Sequence, residues 1–176
     1  METTNIPRSK VAERIDNVVL ATGHLAAWFN VLLIGVIILQ VVLRYVFGMG
    51  MVQLEELQWH LYAVNVIFGL AYCQSKDSHI RLDLIHAKMS QRTREWVEIF
   101  GILFLMMPLI YVIFYHSIDF VWEAIRTMER SDSPMGLPYR WIPKSLIPIS
   151  MVLFFMAGVA RLIQAVHYLK TTKKRG

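Results

Sequence analysis

Charge is missing from long parts of this 176-residue chain. Residues 17–43, 57–75, 99–118 and 145–160 contain no Asp, Glu, Lys or Arg. Cysteine is nearly absent as well. Cys73 is the only one, so no intrachain disulfide can form and no CxxC redox or zinc motif exists. There is no phosphate-cradling glycine loop and no nucleophile–base pair, which removes the usual signatures of an enzyme. No ionisable residue falls in the middle of any charge-free run. That argues against a pump, a proton relay or a voltage sensor built from this chain alone.

What fills the gaps is hydrocarbon. The chain is 56% hydrophobic and 18% charged, with mean hydropathy +0.45, against roughly 45–50% and about 25% in soluble domains. About 20 mostly apolar residues cross a hydrocarbon core of ~30 Å as a helix. The first three runs meet that length. The fourth meets it if 162–169 extends it, with Arg161 snorkelling to the headgroups. Between Val31 and Leu43 there are eleven Val, Ile or Leu residues, which favour insertion by about 3–7 kcal/mol. Four buried helices of a soluble protein would need polar outer faces, and these lack them.

The pattern predicts an all-α integral membrane protein of one domain, residues 1–176. Its four transmembrane helices are expected at about 20–46, 54–75, 92–118 and 143–169. Gly48 and Gly50 break the first connector, Pro134, Pro138 and Pro143 punctuate the third, and Pro148 should kink the last helix. Alternation of Ile80, Leu82 and Leu84 with His79, Arg81 and Asp83 predicts a short amphipathic interfacial segment after helix 2. Lys and Arg cluster in the N-terminus, the second connector and the tail Lys170, Lys173, Lys174, Arg175. The positive-inside rule therefore puts both termini in the cytoplasm. The first apolar run is too long for a cleaved signal peptide and reads as an uncleaved anchor. Trp59, Trp122, Tyr139 and Trp141 suit an aromatic belt on the opposite side. The net charge of +5 comes without the aromatic–basic interleaving that nucleic acid would need.

Polar residues within the spans suggest packing. Asn65, Gly69 and Cys73 repeat every four residues on one face of helix 2, and Asn30 and Gln40 should serve as interhelical hydrogen-bond partners. His24, His60, His116 and His167 fall one per helix, at two levels. The pairs His24/His167 and His60/His116 could ligate two haems, as in a four-helix membrane b-type cytochrome. Each histidine also sits near a helix end, where a polar ring is simply tolerated. His79 and His86 do not make a metal site. Glu55 and Glu56 open helix 2, where acidic residues favour the macrodipole; a partner contact is the alternative.

Two stretches carry a resemblance. The segment "LEELQWHLYAVNVIFGLAYCQSKDSHIRLDL" (54–84) and the segment "SPMGLPYRWIP" (133–143) resemble the small membrane subunit of tripartite ATP-independent periplasmic (TRAP) transporters, the DctQ-like family. They carry its acidic start of helix 2, its His-Ile-x-Leu/Val-Asp exit at His79, Ile80 and Asp83, and its Pro-Trp-Pro approach to helix 4. Lys76-Asp77-Ser78 replaces the family's usual small or Gly-containing turn. The resemblance implies a permease subunit in the bacterial inner membrane that imports an organic acid together with a periplasmic binding protein and a large membrane subunit. The coupling ion, usually sodium, is expected on the large subunit, and no cofactor is expected in this chain. The small subunit would act as scaffold. Glu55, Glu56, Arg126 and Arg140 become candidate contacts on the periplasmic side. His79, Arg81 and Asp83 become candidate contacts at the cytoplasmic end of helix 2, to the large subunit or phospholipid headgroups.

Overall fold

A computed structural model describes residues 9–76 and 89–173. Among these residues the regular structure is helical throughout. The helices are α1 (Lys10–Tyr45), α2 (Val52–Ser75), α3 (Gln91–Gly101), α4 (Met107–Arg126) and α5 (Trp141–Lys173), with a five-residue π-helical turn, Ile102–Met106, joining α3 to α4. Lys10–Tyr45, Gln91–Arg126 and Trp141–Thr171 are long and apolar enough to cross a membrane, and in the most apolar part of the second only 17% is buried by the protein itself. Apolar side chains left that exposed are at home in lipid, not in water.

Every helix outruns its sequence-based bounds. α1 begins ten residues earlier than expected and takes in Arg14 and Asp16; the third stretch runs on to Arg126. Helical hydrogen bonding continues past the hydrophobic runs, because charged residues are no obstacle to a helix once it leaves hydrocarbon. The short fourth run is rescued, as α5 has 33 residues. α2 is instead the helix outside the long apolar set, since Gln58, His60, Asn65 and Gln74 dilute its hydropathy. Of the expected interfacial segment, His79, Arg81 and Asp83 lie outside the described residues.

Local chemistry sets the ends. α1 stops where Gly48 adopts φ +66 and the Met49 N–H donates back to the Leu43 carbonyl at 2.9 Å. This closes the helix through a left-handed residue that only glycine takes without strain. The Ser90 hydroxyl caps α3 by accepting from the Thr93 N–H at 3.3 Å. Pro108 follows the π turn. Proline offers no N–H to the carbonyl four residues back, and the wider turn just upstream is where the helix absorbs that interruption.

α5 is the hub. It packs on α1, α2, α3 and α4, while α1 and α2 pack on each other and α4 has α5 as its one extensive helical neighbour. The inner cluster is Val19, Ala71, Leu153 and Ala157, with Phe68, Phe154 and Met156 against it. Alanine dominates the buried positions (Ala12, Ala26, Ala124, Ala160 and Ala165 among them), as expected where helices gain by close backbone approach and not by escape from water. Two glycines mark close helix–helix approaches. A Cβ on Gly23 would lie 2.5 Å from the Tyr72 ring, and one on Gly158 would lie 2.9 Å from the Met107 methyl. Gly69, expected as a packing position, has open space around it. The packing face of α2 is instead set by Ala71 and Tyr72.

Candidate functional site

Three polar constellations tie the helices together. At the first, Gln40 is 7% exposed. Its side-chain N–H donates to Glu55 at 2.9 Å, and its carbonyl oxygen accepts from Gln58. The interhelical role expected for Gln40 is realised. Asn30 is exposed and makes no such bond to the described residues. Arg44 lies 3.8 Å from Glu55, with both side chains about half exposed or more; a pair of that kind contributes little.

The second constellation organises the connector between α4 and α5. Glu56 accepts from the Ser131 hydroxyl and from the Leu137 N–H at 2.5 Å. Glu56 precedes the charge-free run of α2. Gly136 is required here, since a Cβ would meet Glu56 Oε1 at 2.7 Å. Arg140 reaches Asp132 at 3.2 Å and Glu129 at 3.7 Å. Lys144 pairs with Glu129 and sits 3.8 Å over the Phe120 ring. Met128 and Tyr139 take left-handed backbone, φ 49 and 65, an unusual conformation for side-chain-bearing residues. The connector is a built structure fastened to the start of α2. Of the candidate contacts, Glu56 is engaged within the chain, Glu55 and Arg140 are partly engaged, and Arg126 is exposed in the last turn of α4.

The third constellation overturns a sequence expectation. Arg161 does not snorkel outward. Its guanidinium grips Glu98 through Nε at 3.0 Å and Nη2 at 2.6 Å, and Glu95 through Nη1 at 2.9 Å. Exposure of the three side chains is 16%, 6% (Glu95) and 13% (Glu98). Gln91 donates to the other oxygen of Glu95 at 3.0 Å. Two carboxylates one turn apart on α3 take up all three nitrogens, which outcompetes a longer reach to the headgroups. The signal in the sequence was their placement: Glu98 directly precedes one charge-free run and Arg161 directly follows another. Nearby, Gln164 donates to Asp16 at 3.2 Å, joining α5 to α1.

Two cavities between the helices do not suit an organic anion. One, about 590 Å³, lies among α1, α2, the α4–α5 connector and α5, and is lined by apolar side chains such as Phe29, Leu61, Phe68 and Leu146, with Thr22, His60 and Tyr139 as its polar side chains. An unpaired carboxylate there would be expensive. Another, about 270 Å³, is polar, and its cations Lys76 and the already engaged Arg161 are matched by Glu13 and Asp16.

Nothing in the structure or in the family match reported below supports the haem alternative. His24 is exposed, with its ring 5.6 Å from that of Tyr72. His60 lines the apolar cavity, while His116 is exposed on α4, edge-on to Tyr115. Among the described residues, no group of three or more His, Cys, Asp or Glu could hold a metal ion.

A family model described as "Tripartite ATP-independent periplasmic transporters, DctQ component" matches residues 33–167, about three quarters of the chain. No curated protein matches it.

Proposed function

The chain belongs to the DctQ family of tripartite ATP-independent periplasmic transporters, and from that premise we propose that it is the small permease subunit of a TRAP-type secondary transporter in a bacterial inner membrane. It works with a large membrane subunit and a periplasmic binding protein to import an organic acid. The coupling ion, sodium, binds the large subunit. α2 is a fourth crossing, both termini are cytoplasmic, and phospholipid covers the aliphatic outer surface.

The subunit is a scaffold and does not bind substrate. The observation that carries this reading is Arg161. It is the inward-facing guanidinium that an organic acid would seek, and Glu95 and Glu98 already hold all three of its nitrogens. Glu55, Arg126 and Arg140 remain as contacts to the binding protein or the large subunit on the periplasmic side. His79, Arg81 and Asp83 play that part at the cytoplasmic end. Asp83→Ala should impair recovery of the complex more than substrate capture; unchanged co-purification removes that assignment.

Reconstitution tests the whole. Uptake into proteoliposomes should require this chain, the large subunit and the binding protein together. Binding of the organic acid to the purified small subunit, as tight as to the binding protein, would overturn the scaffold role.

A further inference from the structure

Polar side chains deep in the helices are mostly satisfied from within: Gln40 by Glu55 and Gln58, Arg161 by two glutamates. The α1–α2 seam departs from this. The two helices run antiparallel and are pinned at one end by the Gly23–Tyr72 contact and at the other by Gln40 with Glu55 and Gln58. Seven residues inward from Gly23 is Asn30, and seven inward from Tyr72 is Asn65. Seven residues are close to two full turns. Both carboxamides therefore stand at one level, on the helix sides that meet at the Gly23–Tyr72 contact.

They are not joined there. Asn30 is exposed and makes no hydrogen bond to a described residue. Asn65 donates one N–H to its own helix, to the Leu61 carbonyl at 2.9 Å, which leaves its side-chain oxygen free to accept. The level is deep. Asn30 is fourteen residues from Asp16, where α1 is tied to α5, and ten from Gln40, or about 21 and 15 Å along the helix. Headgroups and water do not reach that far, and acyl chains offer no hydrogen bond. One turn from Asn65, Gly69 has open space where a Cβ would be, so a helix backbone can come close. Farther along α1 the exposed side chains from Val31 to Val42 are aliphatic, a surface lipid covers well. The polar level at Asn30 and Asn65 is what lipid cannot serve.

We propose that the α1–α2 seam at Asn30, Asn65 and Gly69 is the docking groove for a transmembrane helix of the large membrane subunit, which supplies the missing hydrogen-bond partners to the two carboxamides. This rests on the reading of the chain as a TRAP small subunit. Interhelical hydrogen bonds of this kind are modest singly, and losing one weakens association by about three- to thirty-fold.

The test uses the complex purified from membranes through a tag on the small subunit. Photo-crosslinking residues are placed at Ala27 and Ile34, which flank Asn30 on the same side of α1, and at Tyr111 on α4 as a distant exposed control. Adducts with the large subunit should form from Ala27 and Ile34 and be several-fold weaker from Tyr111. The Asn30→Leu/Asn65→Leu double variant should recover several-fold less large subunit while the isolated small subunit melts unchanged, and Asn30→Gln should restore recovery. Adducts from Tyr111 alone overturn the groove and leave the subunit reading intact. Adducts between two small subunits from Ala27 or Ile34 overturn it in favour of self-association. A double variant whose isolated form is destabilised with recovery unchanged shows that the asparagines serve each other. Failure of the unaltered chain to recover any large subunit sinks the subunit reading itself.

Discussion

Arg161 brings a full charge to the end of an apolar run and keeps it there by pairing. The pair is buried enough that breaking it one-sidedly is costly. Arg161→Leu strands Glu95 and Glu98 and should destabilise the detergent-solubilised subunit by about 3–5 kcal/mol. Combining it with Glu95→Gln and Glu98→Gln should recover much of the loss, since no buried charge is then left without a partner. Thermal melting followed by size-exclusion chromatography measures both. Glu56 holds the α4–α5 connector through the Ser131 hydroxyl and the Leu137 N–H. Limited proteolysis within 127–140 should be faster in Glu56→Ala than in the unaltered chain.

Helices differ in how far their packing can be read from sequence. Gly23 and Gly69 look alike in the sequence, yet one is pressed against Tyr72 and the other faces open space. Gly23→Val should separate α1 from α2 and cost about 1–3 kcal/mol. Gly69→Ala in the isolated subunit should be neutral or stabilising by up to about 1 kcal/mol; a melting comparison decides. The existence and rough centres of the helices were legible, because charge-free runs of fixed length answer directly to bilayer thickness. Helix ends were not. α1 starts at Lys10 and α4 reaches Arg126 because hydrogen bonding continues beyond the apolar part. The π turn was invisible: Pro108 announces an interruption but not how the chain absorbs it. The candidate contacts were legible as charges at helix ends. That Glu56 fastens the α4–α5 connector was not, because Ser131 and Leu137 are far from it in sequence. The direction of Arg161 depended on Glu95 and Glu98, whose spacing is evident but whose height relative to α5 is a tertiary fact.

At the scale of the molecule, α5 acts as a spine, with the α1–α2 pair on it and α4 packed extensively only against it. In a Cys73→Ser background, single cysteines at Lys10 and Lys170 should react with a membrane-impermeant maleimide only from the cytoplasmic side. One at Asp132 should react only from the periplasmic side. Labelling of Lys10 and Lys170 from opposite sides would mean an odd number of crossings and exclude α2 from the membrane. The ties at both ends of α1 also fix its attitude. Between Asp16, held by Gln164, and Gln40, held by Glu55, α1 uses 24 residues, while α5 uses 20 between Lys144 and Gln164. At 1.5 Å per residue that is about 36 Å against 30 Å, so each tied span is about as long as a hydrocarbon core is thick. The ties are then spaced to suit one thickness of bilayer. A thinner or thicker membrane must either strain them or tip the whole bundle as one body.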